Sequence, residues 1–593
     1  GKFLGYETLE IFVTSVAVAV AAIPEGLVVT LTVILALGMQ NILRRKAIVR
    51  RLLSAETLGS VSTICADKTG TLTEGKMQVV KADFVNKEMG FLVPALCSEI
   101  RDPIGVATWD WVHKKARKEK INIGQILREN PRLDEMPFSP QKRMMATLYP
   151  QYLLVAGAPE IVLDKCRISK SLAKDWEKKF EAYAREGLRL VGFAYKENRG
   201  EKNRIKTQDL KNLNWLGVLI YEDPIREGVK EALAECQKAG IKVKVITGDF
   251  LPTALSVLQR LGFDGTDHAL LGEELEKMRA EELKEIIDKI IVFARTTPEQ
   301  KLKIVQALKE KGEVVAMTGD GVNDALALKM ADIGIVVGEA TDVAKQTADM
   351  VLLDSNFATI VHAVEEGRTI FENIKKVVLF LLSDSFTEII LIGGSIALGL
   401  PLPVTAAQIL WVNLVEDSLP GIALAFEKEE KEIMSEPPRT KETPILDLEL
   451  KTLIFAIGIL TDLVLLGLFY WLSKGVFHLH YIQTVMFVAL GIDSLFIAFS
   501  CRSLKKTVFH KNPFENRVLL FSLLVSLLFL VGAVYLPPLQ VLLKTHALGT
   551  AEWIFLLVLG IFNLMAIETT KLVFIKGFKR KLVTKVSELE ILK

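Results

Sequence analysis

Val61-Ser-Thr-Ile-Cys-Ala-Asp67-Lys-Thr-Gly-Thr-Leu-Thr-Glu74 is a short β-prone run that ends in an acid, followed at once by small hydroxylated and glycyl residues. Open α/β sheets bind their ligands at the carboxyl ends of buried strands, so this layout predicts Asp67 at such an end. The turn after it can offer backbone N–H groups to phosphate oxygens. An aspartate there can act as a covalent nucleophile that takes up a phosphoryl group. A lone strand-end aspartate would more simply cap a turn, so the reading depends on what the rest of the chain supplies.

Further along the chain the same pattern recurs. Val243-Lys-Val-Ile-Thr247-Gly248-Asp249 is another β run ending in small polar residues, and Thr247 with the Gly248 N–H can hold a phosphoryl oxygen. Val314-Val-Ala-Met-Thr318-Gly-Asp320-Gly-Val-Asn323-Asp324 ends in carboxylates spaced by glycines. Asp320 and Asp67 can share a Mg²⁺, a hard cation that neutralises phosphate charge, with Asn323 and Asp324 orienting its water or Asp320 itself. Arg295-Thr-Thr-Pro-Glu-Gln-Lys301 leads into a helix and makes Lys301 a candidate counter-charge.

At 593 residues the chain holds several domains. Hydrophobic residues make up 50% and charged residues 24%, which fits membrane helices alternating with water-soluble domains. A net charge of +2 argues against nucleic acid as the main partner. The five cysteines, Cys65, Cys97, Cys166, Cys236 and Cys501, form no CxxC pair, so neither a disulfide framework nor a zinc site is indicated.

Glu10 to Met39 is the first long apolar run, interrupted at Ala21-Ala-Ile-Pro24-Glu25-Gly26-Leu27. Pro24 frees the carbonyl of Val20, and unwound backbone at membrane depth belongs where it is buried in protein or lines a cavity. Glu25 beside it is an intramembrane carboxylate, a functional hypothesis by default. Arg44-Arg45-Lys46 and Arg50-Arg51 then mark the cytoplasmic side. Six further spans are expected at roughly 376–399, 404–426, 450–473, 480–501, 516–537 and 552–574, with charged and near-neutral loops alternating.

Two of these spans carry acids. Asp384 and Glu388 are four residues apart, and Asn413, Glu416 and Asp417 fall at i, i+3 and i+4, each set predicted on one helix face. With Glu25 they make a hard, oxygen-rich cation site. Asp493, in another span, is a candidate accessory group, and His478 and His480 in an outer loop read as bystanders.

Asp67-Lys68-Thr69-Gly70-Thr71-Leu72-Thr73 resembles the phosphorylation signature of P-type ATPases, ion pumps with a haloacid-dehalogenase-like core. Pro24-Glu25-Gly26-Leu27, Thr247-Gly-Asp, Thr318-Gly-Asp-Gly-Val-Asn-Asp and Val412-Asn-Leu-Val-Glu-Asp417 follow in that family's order, and the resemblance is nearest to type II calcium pumps. It implies a multidomain membrane protein: an α-helical transmembrane bundle plus an α/β, Rossmann-like phosphorylation domain with an inserted α+β nucleotide-binding domain. The boundaries expected are 1–45 for a broken transmembrane helix, 46–82 and 214–373 for the phosphorylation domain, 83–213 for the insertion, and 374–593 for six helices.

The resemblance also implies the site residues. Lys68 and Thr69 join Asp67, Thr247, Gly248, Lys301, Asp320, Asn323 and Asp324 in catalysis, with Mg²⁺ on Asp67, Thr69 and Asp320. Thr69 stands where the superfamily's phosphatases carry a second acid, which suits a long-lived aspartyl-phosphate. ATP is expected against Phe138, Arg143, Gly157, Arg189, Asp249 and Arg295, although Phe138 alone reads equally well as core. Ala156 and Gly105 replace the family's Lys and Glu in this pocket. The transported cation is expected on the carbonyls of Val20, Ala21 and Ile23 and on Glu25, Glu388, Asn413, Glu416 and Asp417.

Ser385 and Glu416 depart from the calcium pattern, leaving a monovalent-cation pump as the alternative to calcium export. A catalytically idle regulatory protein and a membrane-tethered phosphatase are the other classes. A heavy-metal pump is disfavoured because no cysteine flanks Pro24. The chain shows no Thr-Gly-Glu-Ser string and no two helices before Glu10. The resemblance therefore implies an actuator domain supplied by a longer chain or a separate one, and phosphate acceptance at Asp67 without a completed cycle. The location expected is a cell membrane, with the catalytic domains cytoplasmic.

Overall fold

The structure is a computed structural model that describes residues 12, 15, 16, 19, 24 and 26–591, apart from 99, 101, 140, 199–202, 264–267, 429, 431 and 442. The strand Thr63–Ala66 is wholly buried and sits inside an eight-stranded sheet. Val315–Gly319 and Lys242–Thr247 pair with it in parallel on either side, with Cys65 opposite Met317 and Lys244. Parallel strands of this kind are covered on both faces, which is why Thr-Ile-Cys-Ala shows no polar alternation. Ile64 and Ala66 pack into the core beneath Phe357, Ile360 and Val364, whereas Cys65 faces Ile304 and Leu308 on the opposite side. Burial pushes the Cys65 thiol up to about 12, so it is an inert core residue.

The second sheet has six antiparallel strands, in the order Gln78–Phe84, Asn214–Glu222, Arg189–Glu197, Tyr152–Gly157, Met144–Leu148 and Asp134–Ser139. This corrects the boundaries expected at 83 and 214. Gln78–Phe84 and Asn214–Glu222 pair with each other, Ala82 opposite Leu219, so both belong to the inserted domain. A buried apolar run such as Leu216–Ile220 carries no mark of which sheet it joins; only its partner decides.

Among the described residues five helices are long and apolar enough to cross a membrane: Gly26–Arg44, Phe357–Ala397, Leu479–Ser500, Arg517–Tyr535 and Thr550–Val573. Leu448–Ser473 adds a helix whose apolar stretch Thr461–Ser473 is shorter. The span expected at 404–426 is not one regular helix. It runs as Ala406–Trp411, a wide π-type turn Val412–Glu416, and Ser418–Leu424.

The expected start at 376 also moves, because the helix begins at Phe357 and is 41 residues long, capped by the Asn356 side chain. At 1.5 Å per residue it spans roughly 60 Å. Its first turns cover the Asp67 sheet, and its later turns carry Asp384 and Glu388.

Candidate functional site

Asp67 stands at the carboxyl end of its strand, and its N–H donates to the Thr318 hydroxyl at 2.7 Å. The chain then turns through Gly70, whose φ of 77° lies in the left-handed region that favours glycine. Lys301, on the helix Pro298–Glu310, places Nζ 2.9 Å from Asp67 Oδ2 and 2.9 Å from Asp324 Oδ1. Burial pushes the Asp67 carboxyl above its ordinary range, with Lys301 pulling it down and Asp324 and Asp320 adding to the rise. Burial draws the Lys301 ammonium the other way, but Asp67 and Asp324 outweigh it and raise its pKa.

Oxygens of Asp67, Asp320 and Asp324 lie within 4.8 Å of one another, with Asp320 exposed and Asp324 buried. Three carboxylates with one cation between them form a hard-oxygen set that suits Mg²⁺. Of the other residues expected here, Thr247 is buried at its strand end and its hydroxyl accepts from the Asp249 N–H at 3.1 Å. A Cβ built on Gly248 would meet nothing within 4 Å, so the backbone is open to an arriving group. Lys68 is buried and paired with Asp249, and Asn323 is exposed on the turn Val322–Asp324.

Two residues of Asp223-Pro-Ile-Arg226, a string given no role by the sequence, hold the Asp67 loop. The Asp223 carboxylate accepts from the Thr73 hydroxyl at 2.6 Å and the Gly75 N–H at 2.8 Å. Arg226 donates to the carbonyls of Gly70, Thr73 and Glu74, and also to that of Asp354 at 3.2 Å, two residues before the cap of the long helix. Thr318 is a third residue the sequence reading left without a role.

A cavity of 340 Å³ in the inserted domain is lined by Phe138, Arg143, Gly157, Ala156, Gly105 and Tyr221 among others. Phe138 is 53% exposed, so it is not core. Arg143 pairs with Glu160 at 2.7 Å on the surface. Tyr221 also borders a second cavity of 190 Å³, which reaches Lys68 and Thr69 and is lined by Arg189 and Asp249. Arg295 joins neither: its guanidinium stacks 4.0 Å from the Phe250 ring. Arg295 is expected against the nucleotide, but it lines neither cavity. The left-handed backbone at Arg295, with φ of 56°, turns it onto the phosphorylation domain's own loop.

In the membrane helices Asn413 donates to Glu388 Oε2 at 3.2 Å. Ser494 donates to Asp417 Oδ1 at 2.5 Å. Glu416 departs from the expected shared face. In the wide turn the Asp417 N–H reaches back to the Val412 carbonyl at 3.0 Å, which rotates Glu416 toward Gly491 of the helix Leu479–Ser500. A Cβ on Gly491 would lie 2.3 Å from Glu416 Oε2. Val20, Ala21, Ile23 and Glu25 lie outside the described residues. Their neighbour Gly26 packs against Ser418, a Cβ there falling 3.4 Å from the Ser418 hydroxyl.

A strand-end aspartate bridged by lysine to a second acid thus shares one chain with a membrane cluster of buried carboxylates. Comparison with known proteins gives the same picture. The haloacid dehalogenase-like hydrolase family matches residues 61–332, and the family described as Cation transporting ATPase, C-terminus, matches 401–573. Calcium-transporting ATPase 1 of Bacillus cereus is 37% identical over 95% of this chain and 69% of its own length. The chain belongs to the P-type cation-transporting ATPases. The Bacillus subtilis calcium-transporting ATPase is 36% identical over 94% of this P-type chain and 69% of its own length. The human calcium-transporting ATPase type 2C member 1 is 34% identical over 94% and 65%.

Proposed function

We propose that this P-type ATPase moves Ca²⁺ out of the cytoplasm at the expense of ATP, through a phosphoryl group carried on Asp67. The carboxylate of Asp67 attacks the γ-phosphorus, the bond to the bridging oxygen breaks, and ADP leaves. Lys301, Thr247 and the Gly248 N–H hold the equatorial oxygens as charge develops on them. Asp67, Asp320 and the Thr69 backbone would hold Mg²⁺, which supplies neutralisation of the phosphate charge. Phe138 stacks on the adenine, Arg143 exchanges Glu160 for a phosphate, and Arg189 and Asp249 line the path from the 340 Å³ cavity to Asp67.

The cation would sit between Glu388, Asn413 and Asp417, with Glu25 and the carbonyls of Val20, Ala21 and Ile23 completing its shell and Glu416 supporting from the side. Hard oxygens from several helices favour Ca²⁺ over a monovalent ion. The catalytic domains then face the cytoplasm and the cell membrane is the location. The observation that carries the reading is the single helix Phe357–Ala397, which packs on the Asp67 sheet at one end and presents Glu388 to Asn413 roughly 45 Å further along.

Incubation with labelled ATP and Mg²⁺, with and without Ca²⁺, Na⁺ or K⁺, tests it. A hydroxylamine-labile phosphoprotein that forms only with Ca²⁺ and is lost in Asp67→Asn is the expected result. Absence of label under every ion would overturn it.

A further inference from the structure

The inserted domain leaves the Asp67 sheet and returns to it at one place. Thr73 pairs antiparallel with Ile225, and the Glu74 N–H donates to the Pro224 carbonyl at 2.9 Å, so the two crossings run side by side. A body joined through two adjacent segments can swing as a hinge, and a contact further out must set its angle. Phe138 lies on one side of this hinge and Asp67 on the other, so the angle sets the span a nucleotide has to bridge.

Such a contact is present. The inserted domain's helix Lys170–Arg185 is terminated by Gly187, whose φ of 76° lies in the left-handed region. The Gly187 and Leu188 N–H groups close back on the Ala184 and Tyr183 carbonyls at 3.0 and 3.1 Å. The Glu186 carbonyl is left for a partner outside the domain. The Ser256 hydroxyl, on the helix Leu251–Arg260 of the phosphorylation domain, donates to it at 2.5 Å. The approach is close: a Cβ on Gly187 would lie 2.8 Å from the Ser256 Cβ and 2.9 Å from its Oγ. Arg260, which ends the same helix, pairs with Glu222 nearer the hinge. The contact closes one wall of the 190 Å³ cavity, and Arg189, two residues beyond Gly187, faces Lys68, Thr69 and Asp249 across it.

We propose that the Gly187–Ser256 contact is the stop that sets how far the inserted domain closes, and that both are positioning residues for phosphoryl transfer from the nucleotide to Asp67. The inference rests on the phosphoryl-transfer reading above. The base cavity belongs to the inserted domain alone, so a wedge at this contact leaves the base seated while the γ-phosphorus falls short of Asp67. Misplacement by 1 Å can slow such a step by about 10²-fold.

Labelling of the full chain in detergent, with Mg²⁺ and Ca²⁺ and two radioactive donors, tests it. ATP has to bridge the two domains. Acetyl phosphate carries no base: the Asp67 carboxylate attacks its phosphorus and acetate leaves. Gly187→Ala is expected to slow labelling at saturating ATP at least tenfold, with labelling from acetyl phosphate and binding of an ATP analogue changed less than threefold. Gly187→Asn, whose side chain tolerates the left-handed turn, should lose as much. Ser256→Gly removes both atoms the new methyl would strike, so Gly187→Ala combined with Ser256→Gly should recover to within threefold of Ser256→Gly alone, although the strained turn remains. An unchanged ATP rate, equal loss from the two donors, or a double variant as slow as Gly187→Ala would overturn the stop while leaving phosphorylation of Asp67 standing. No label on wild type from either donor would overturn that reading and the stop with it.

Discussion

Gly59 and Gly367 meet backbone to backbone: a Cβ on Gly59 would lie 2.4 Å from the Gly367 carbonyl oxygen, and one on Gly367 would lie 2.4 Å from the Gly59 nitrogen. Gly59 directly follows the short helix Leu52–Leu58 and precedes the Asp67 strand. Gly367 belongs to the long helix that carries Glu388. No side chain fits between them, so a displacement of the helix is delivered to the backbone that enters the catalytic strand. Arg226 makes the second tie, from the Asp67 loop to Asp354. Two contacts on either side of the nucleophile give the phosphorylation site a physical means of sensing the ion site.

Gly367→Ala inserts a methyl 2.4 Å from the Gly59 nitrogen and 2.9 Å from both the carbonyl carbon and the Cβ of Leu58. Overpacking of this kind costs about 1–3 kcal/mol. The expected outcome is a lower Tm together with at least a several-fold loss of Ca²⁺-dependent phosphorylation, while binding of a nucleotide analogue is unchanged. Unchanged ion dependence of the phosphoprotein would show that this contact is packing only.

Lys301 is the only cation the structure places between Asp67 and Asp324 among the described residues. Lys301→Ala leaves two facing carboxylates with no counter-charge and removes the group that meets the transferred oxygens. Loss of one such donor lowers rates by about 10²–10³-fold. Rapid-quench measurement of phosphoprotein formation at saturating ATP should show that loss. Asp324→Asn, which keeps Lys301 on Asp67, should lose less.

Much of this was legible in the chain. Asp67, Thr247 and Asp320 each end a β-prone run, and the sheet brings those ends together because the strands are parallel and adjacent. Lys301 could be named because it follows Arg295-Thr-Thr-Pro into a helix whose first turn faces the same strand ends. Asp223 and Arg226 were missed as participants, since their work is done on backbone groups of another segment and leaves no local pattern. Leu216–Ile220 was assigned to the wrong sheet for the same reason: a strand's partner is a long-range fact. Glu416 left the face predicted by i, i+3, i+4 spacing because one extra residue in the turn Val412–Glu416 breaks that arithmetic.

The raised Asp67 pKa has a sign that can be tested. A carboxyl that binds its proton more tightly when folded loses stability for the fold as pH rises from its ordinary 3.8 through the folded value. Asp67→Asn has no such term. Without Mg²⁺, the Tm of Asp67→Asn relative to wild type should therefore climb from about pH 4 upward and level off above the folded value, leaving the variant at least as stable at neutral pH. Added Mg²⁺ should stabilise wild type more than the variant. A variant less stable than wild type at neutral pH would mean that the pair with Lys301 outweighs burial.

Phe138 is a large apolar ring left open on the wall of the 340 Å³ cavity. A base stacked on an aromatic side chain gains about 1–3 kcal/mol, so Phe138→Ala should weaken ATP binding roughly 5- to 150-fold. The maximal rate of phosphorylation at saturating ATP should hold, because Phe138 is in the inserted domain and touches none of the transferring groups. A fall in that rate with unchanged affinity would place the nucleotide elsewhere.

Gly491 separates two contributions to the ion site. A methyl there would collide with Glu416 Oε2 at 2.3 Å and with the Leu530 methyls at 2.9 Å. Both Glu416 oxygens lack hydrogen-bond partners, so the side chain is held by packing and can be pushed aside. Asn413, Glu388 and Asp417 hold one another or Ser494 through their own hydrogen bonds and should stay in place. Gly491→Ala should therefore lower apparent Ca²⁺ affinity in the phosphorylation assay by about tenfold, a displacement worth about 1.4 kcal/mol, with the maximal level retained. Asn413→Ala should lower both, because it removes a ligand and leaves Glu388 unpaired. Equal effects from the two variants would mean that Glu416 contacts the ion as directly as Asn413 does.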